Sequence, residues 1–193
     1  MKKITSALLF LIATAALSFG QQYTIDPVHS SATFKVKHLT VSTVTGRFGD
    51  VNGTITYDAS DPSKSKVEAT IKTATVNTDN SMRDGDLKQN YLEVEKYPEM
   101  KFSSSKVEKR GDQWVATGNL TIKDVTKTVE IPFDVATADT KMGPKLGASA
   151  TFKINRNDFH VAKASMIDNG AVVGSDITIE LNVEGNPPKP AGK

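Results

Sequence analysis

The chain has 193 residues and no cysteine, and it carries 24 Lys and Arg against 22 Asp and Glu. Without cysteine it forms neither a disulfide framework nor a thiolate metal site. Two of the basic residues, Lys2 and Lys3, lie in a segment that we expect to be removed, which leaves 22 basic against 22 acidic side chains. Because the charges balance and are interspersed, the net basic surface that nucleic-acid binding needs is missing, and we expect no nucleic-acid partner.

The N-terminal segment from Met1 to Gly20 predicts a signal peptide. Two lysines precede an apolar stretch from Ile4 to Leu17 that is short for a membrane span. Small residues at positions 18 and 20 occupy the two positions that a signal peptidase recognises. We therefore expect a periplasmic or secreted protein that starts near Gln21. Residues 21–185 have the length of one domain, and the proline-rich tail 186–193 is expected to be disordered.

Six segments alternate apolar and polar residues with the period of two that is typical of a strand with one buried face. Their apolar positions are Ala32, Phe34, Val36 and His38; Val67, Ala69 and Ile71; Trp114, Ala116, Gly118, Leu120 and Ile122; Val129, Ile131, Phe133 and Val135; Leu146, Ala148, Ala150, Phe152 and Ile154; and Ile177, Ile179, Leu181 and Val183. Five small residues, at positions 69, 116, 118, 148 and 150, stand where a filled core would carry Leu or Val. The pattern predicts a β-barrel of about eight strands with room for an apolar ligand. The alternative is a small barrel that alternates small and large residues simply to pack.

Turn residues separate the strands, and one stretch interrupts them. Residues 110–112 and 123–126 each join two consecutive strands, which predicts hairpins between antiparallel neighbours. Residues 78–91 predict a short helix that crosses one mouth of the barrel, with Asn80 or Ser81 as its N-cap. The apolar residues of this helix are Met82, Leu87 and Tyr91. They would either form a lid or plug the core. A second irregular loop, residues 156–176, carries Phe159, His160, Met166 and Ile167 and could border either mouth.

Few residues suggest catalysis. The three histidines, His29, His38 and His160, lack the short spacing that builds a metal site from one element, and no serine lies in a Gly-x-Ser-x-Gly elbow. We therefore expect no catalytic residue, no metal and no cofactor. His38 shares the inward parity of Phe34, so it is either a polar anchor for a ligand headgroup or a satisfied core histidine. Arg83 on the predicted helix is either a solvated charge or a partner for the same headgroup.

Several motifs in order along the chain resemble the YceI-like family of lipocalin-like, periplasmic polyisoprenoid-binding proteins. They are Tyr23 to Ser30, Phe34 to His38, Gly46-Arg47-Phe48 with Gly53, Arg83-Asp84 with Leu87, Tyr97-Pro98 with Phe102, Gly118 to Lys123, and Asn155 to Phe159. The resemblance implies an eight-stranded antiparallel barrel around a long isoprenoid or other lipid chain. Two positions depart from the family pattern: Asp124 replaces a usual glycine, which aspartate tolerates in a left-handed turn, and Asp86 replaces a common histidine, which puts a headgroup role there in doubt.

The sequence therefore predicts an all-β, eight-stranded antiparallel, lipocalin-like barrel with a short helix across one mouth. It would bind, sequester or transport a long apolar lipid without catalysis: a polyisoprenoid, an isoprenoid quinone, or a fatty acid or amide. The predicted ligand-binding residues are Phe34, Val36, His38, Phe48, Met82, Arg83, Leu87, Tyr91, Phe102, Trp114, Phe133 and Phe152. Two alternatives stay open: a quinone-linked redox accessory or enzyme in which His38 titrates, and a stress-response module with a solid core. Transient membrane contact and a homodimer are further expectations that the sequence leaves undecided.

Overall fold

A computed structural model describes residues 20–162 and 172–188 of the chain. Most of this part is β-strand. The ten strands are β1 (Gln21–Ile25), β2 (Ser31–His38), β3 (Ser42–Phe48), β4 (Val51–Tyr57), β5 (Lys66–Lys72), β6 (Glu99–Arg110), β7 (Gln113–Ile122), β8 (Val125–Thr140), β9 (Gly143–Asn155) and β10 (Val173–Asn186). The predicted signal peptide, apart from Gly20, lies outside the described residues, as do Met166, Ile167 and the last five residues of the predicted tail.

The ten strands occupy eight positions of a closed antiparallel barrel. β1 and β2 lie in succession along β10, where Thr24 is opposite Asn186 and His38 is opposite Val173. β1 also pairs with β4, and β2 pairs with β3. Together, β1 and β2 therefore fill one position of the barrel, and β3 and β4 fill the next position. From β4 to β10 each strand pairs with the next one along the chain. The predicted eight-stranded antiparallel barrel is confirmed.

Both predicted hairpins are present, with two-residue turns. Gly111 and Asp112 join β6 to β7, and Lys123 and Asp124 join β7 to β8. The left-handed residue of the second turn is Lys123, with φ of 54°, so the expected left-handed conformation at Asp124 is wrong. The barrel also extends one residue further than predicted. Asn186, assigned to the tail, pairs with Thr24 at the end of β10.

The predicted helix is shorter than residues 78–91 and is followed by a wider turn. Helix α1 spans Ser81–Asp86 and begins after Asn80, whose side chain accepts a hydrogen bond from the backbone N–H of Arg83 at 3.0 Å. The chain continues through a π-helical turn, Leu87–Tyr91. In the part of the chain that the structure describes, no helix has the length and apolar character needed to cross a membrane.

The barrel has two different ends. The end that we call the mouth carries α1, the β2–β3 and β7–β8 turns, and a short 3-10 turn at Arg156–Phe159. The opposite end carries the β6–β7 and β8–β9 hairpins and the start of β1. Buried side chains follow the inward parity of the strands and form two clusters. The larger one includes Tyr23, Phe48 and Leu146, and the smaller one is Val107, Trp114 and Ala116.

Candidate functional site

An inner cavity of about 180 Å³ lies inside the barrel, and its lining is almost entirely carbon. Four of the five small residues that the sequence placed on inward faces line it: Ala69, Ala116, Ala148 and Ala150. Larger side chains between them include Phe102, Phe133 and Phe152. The small residues therefore leave space rather than only fitting a tapering core. The cavity is inconsistent with the solid core that the stress-response alternative requires.

The fifth small residue, Gly118, has a different role. A β-carbon at this position would collide with the backbone of Ser103 and Ser104 on β6 and with the ring of Phe102. β6 has its register irregularity at the same place, between Ser104 and Lys106. Gly118 therefore permits close approach of β6 and does not create cavity space, because the Phe102 ring occupies its inward side.

A second, outer cavity of about 280 Å³ lies at the mouth, between the ends of β2, β3 and β10, helix α1 and the Arg156–Phe159 turn. The two cavities are adjacent and share six lining side chains: Phe34, Phe48, Met100, Ile122, Ile154 and Ile179. We treat them as one channel. Residues of β10 line it from Val173 to Val183. Because β10 has a register shift between Val173 and Ile177, this span equals about eight regular steps on the neighbouring strand β2. Eight steps of about 3.3 Å along a strand tilted by about 40° make the channel roughly 20 Å long.

Aromatic side chains close the channel at the end opposite the mouth. Trp114 is 9% exposed, and its ring centroid lies 5.4 Å from that of Tyr57 and 6.0 Å from that of Phe133. Both partner rings line the inner cavity, whereas Trp114 stands outside the lining of either cavity. The prediction that Trp114 lines the channel is therefore not met. Trp114 is the first inward-facing residue of β7, and it lies so close to the end of the strand that its side chain packs outside the residues that line the cavity.

Polar side chains concentrate at the mouth. Lys37, His38, Arg83, Asp86 and Arg156 all line the outer cavity. Arg83 is held in place by Thr78, because its Nε donates to the hydroxyl at 2.8 Å and Nη2 donates to the backbone carbonyl at 2.9 Å. The channel therefore combines a long apolar interior with one polar end.

Arg156 is a mouth residue that the alternation along the strands could not predict, because it lies in a turn outside them. Its side chain is buried, and it donates to the backbone carbonyls of Gly174 at 3.0 Å, Val161 at 2.9 Å and Val173 at 2.9 Å. These bonds fix the two chain segments that flank the mouth next to Phe159, which is 2% exposed. The Asn155 to Phe159 motif marked this position, but no periodicity gave it a role.

Ten of the twelve predicted ligand-binding residues line the channel. They are Phe34, Val36, His38, Phe48, Arg83, Leu87, Tyr91, Phe102, Phe133 and Phe152. Besides Trp114, the exception is Met82, which is 85% exposed and outside the lining. Successive helical residues point about 100° apart, so when Arg83 faces the cavity, Met82 points away to the side. The expectation that Met82 serves as part of a lid over the channel is not met.

The fold also brings His29 to two carboxylates that the sequence did not connect with it. Atoms of Asp26, His29 and Glu184 that could bind a metal lie within 4.8 Å of one another. Each already has a protein partner: His29 Nδ1 lies 3.0 Å from Asp26 Oδ2, and Lys145 Nζ lies 3.3 Å from Glu184 Oε1. The hydrogen bond with Asp26 raises the pKa of His29. The Lys145 ammonium therefore already supplies a cation at this cluster.

A closed eight-stranded barrel with an interior channel belongs to the class of small β-barrels whose interior can hold one elongated ligand, the architecture of the lipocalins. A family model described as YceI-like domain matches residues 23–185. The chain belongs to the YceI family.

Relatives and solved structures agree with this assignment. A UPF0312 protein of Photorhabdus laumondii is 36% identical over 160 residues, which cover 81% of this chain and 83% of that protein. The crystal structure of the Campylobacter jejuni YCEI protein has a TM-score of 0.68 at 34% identity and covers 79% of this chain and 90% of its own. A polyisoprenoid binding domain from Saccharophagus degradans has a TM-score of 0.67 at 17% identity, with 86% and 98% covered, and shows the same fold.

Proposed function

We propose that this protein binds one long apolar lipid, of the polyisoprenoid or isoprenoid-quinone class, in the channel of its barrel, and carries or sequesters it without chemical change. The observation that supports this most is the apolar channel of roughly 20 Å whose charged side chains concentrate at the mouth. A fatty acid or fatty amide has the same overall shape and is the second ligand class.

The driving force is the removal of apolar surface from water. Each methylene that enters the channel contributes about 0.8 kcal/mol, so even partial enclosure of a polyprenyl tail outweighs the cost of ordering it. An extended carbon chain, whose bonds are about 1.5 Å long, advances about 1.25 Å per bond, so the channel accommodates roughly 16 main-chain carbons. Because apolar enclosure discriminates weakly between lipids of similar girth, the choice of ligand falls to the polar end.

Side chains at the mouth suit a polar or anionic headgroup. Lys37, His38 and Arg83 line the same outer cavity, and Thr78 fixes the orientation of Arg83. A ligand with its tail toward Trp114 would present its headgroup to these donors. Asp86 lines the same cavity and accepts a hydrogen bond from Asn90 at 2.6 Å, so it adds negative charge near one side of the site.

The polyisoprenoid binding domain among the structural neighbours supports a polyprenyl ligand for this chain as well. The N-terminal sequence, Met1 to Gly20, supports export, and we place the mature protein in the periplasm or outside the cell. There the protein would need no cofactor, and its lipid would be cargo rather than substrate.

Native mass spectrometry with organic extraction, on protein purified from its own source, tests the proposal. We expect one lipid per protein chain, recovered chemically unchanged. A protein mass without lipid that stays the same after incubation with polyprenyl quinones would contradict it. A quinone that is recovered reduced or oxidised, with turnover that His38→Ala abolishes, would instead support the redox alternative.

Filling the channel should remove binding without unfolding the barrel. Ala148 lines the inner cavity, and we expect Ala148→Phe to weaken polyprenyl-quinone binding at least tenfold, or about 1.4 kcal/mol, because the ring takes the space of the tail. Ala136→Phe is the matched control, since Ala136 on β8 has the opposite parity and is exposed. Equal affinity of the two variants in a fluorescence titration would show that the tail does not occupy the inner cavity.

A further inference from the structure

Large apolar side chains are exposed at the mouth of the channel. Among the described residues, the most exposed large hydrophobic side chains are Val28 (83%), Leu39 (51%), Val41 (82%), Met82 (85%) and Met142 (81%). Three of these five belong to the mouth: Leu39 and Val41 lie on the turn between β2 and β3, and Met82 lies on α1. We call these three side chains the rim.

The rim adjoins the residues that line the outer cavity. Lys37 and His38, directly before Leu39, line that cavity, as does Arg83, directly after Met82. At both the β2–β3 turn and α1, residues that line the cavity are thus adjacent to apolar side chains that are exposed to solvent. A lipid that enters between these elements passes the rim.

The backbone of the β2–β3 turn makes the exposed leucine unusual. Leu39 and Thr40 have φ of 50° and 62°, in the left-handed region where glycine and asparagine are favoured. A turn selected only for stability would carry Asn or Gly at these positions. Leu39 is therefore in a conformation that its residue type disfavours, with its side chain half exposed beside the mouth.

Three of the described basic side chains around the mouth are paired with carboxylates. Arg47 lies 3.6 Å from Asp79, Lys123 pairs with Glu93, and Lys127 lies 3.3 Å from Asp158. The positive charge of these three side chains is thus balanced locally. Attachment through the mouth would therefore depend more on its apolar side chains than on attraction to anionic lipids.

We propose that the mouth docks on the surface of a lipid bilayer, with Leu39, Val41 and Met82 inserted among the headgroups, while the lipid enters or leaves the channel. This inference rests on the proposed lipid-binding function. A long-chain lipid is almost insoluble in water, so its transfer requires contact between the channel and the bilayer that contains it. Three separate side chains on projecting elements suit shallow insertion, whereas a stable protein partner would need a continuous surface of about 800 Å².

Transfer of a polyprenyl quinone from phosphatidylcholine vesicles to the protein tests the docking surface. The test variant is L39N/V41D/M82D, in which asparagine suits the left-handed turn, so the hairpin should still fold. The control variant is V28D/M142D, which changes two equally exposed apolar residues in the β1–β2 connection and in the β8–β9 hairpin, away from the mouth. We expect transfer to slow at least tenfold in the rim variant and to stay unchanged in the control. Added salt should change the wild-type rate little.

Loading from detergent micelles separates this inference from the proposed function. If the wild-type protein fails to take up the quinone from micelles, the lipid-binding function itself is wrong. If all variants load from micelles and the rim variant also accepts quinone from vesicles at the wild-type rate, the docking inference is overturned. A transfer rate that does not depend on protein concentration would likewise overturn it, because the lipid would then leave the bilayer unaided.

Discussion

At the scale of single residues, His29 makes a contact whose strength should depend on pH. Its hydrogen bond with the Asp26 carboxylate raises the pKa of His29 above its unfolded value of about 6.5. The protonated form is thus favoured in the folded state. The stabilisation is fully present below about pH 6.5 and is lost as the pH rises through the raised pKa of the folded protein. We expect an NMR titration of the His29 ring to give a midpoint above 6.5.

Removal of the partner should reverse this effect. In Asp26→Asn the His29 midpoint should fall toward its ordinary value, since the neutral amide no longer favours the imidazolium. Asp112→Asn removes the same charge from the β6–β7 turn and should leave the midpoint unchanged. A midpoint that stays raised in the Asp26 variant would assign the shift to Glu184, the other carboxylate of the cluster.

At the scale of elements, the β2–β3 hairpin depends on a glycine opposite an aromatic ring. Gly46 is opposite Phe34, and a β-carbon at Gly46 would overlap the Phe34 ring and the Thr78 methyl group. The Phe34 ring packs against Phe48 at 5.6 Å between centroids, so it has little room to move. We expect Gly46→Ala to destabilise the protein by about 1–3 kcal/mol in chemical denaturation, as overpacking does in other cores.

A second glycine provides the comparison. Gly147 on β9 is also in a strand, but a β-carbon there meets no atom within 4 Å. Gly147→Ala should therefore change the free energy of unfolding by no more than about 0.5 kcal/mol. Similar losses in both variants would mean that strand geometry, and not the Phe34 ring, sets the requirement for glycine at position 46.

At the scale of the whole molecule, the channel has a fixed length because Trp114 closes one end. Affinity should therefore rise with tail length for quinones of one to about four isoprene units and then level off, since further units remain outside the roughly 20 Å channel. A series of quinones measured by competition gives this curve. An affinity that keeps rising well beyond four units would show that the aromatic closure opens when a ligand binds.

The barrel could be predicted from the chain because its main signal is local. Alternation of side chains along a strand is a backbone property, and segments such as Leu146 to Ile154 carry it without reference to the rest of the fold. The two-residue turns at 111–112 and 123–124 then dictate antiparallel neighbours. The inward small residues Ala148 and Ala150 predicted the free space, and the structure contains it.

The amino-acid sequence by itself thus determined six of the ten strands, two of the antiparallel pairings and the apolar character of the interior. Only the tertiary structure decided which inward residues reach the channel. Gly118, Trp114 and Met82 all follow plausible patterns, but none of them lines the channel. Gly118 is excluded by its contacts with β6, Trp114 by its position at the closed end, and Met82 by its orientation on the helix. The same holds for Arg156 and the Asp26–His29–Glu184 cluster, which join segments distant in sequence. Periodicity predicts which face of a strand a side chain lies on, whereas contacts between segments distant in sequence form only when the barrel closes.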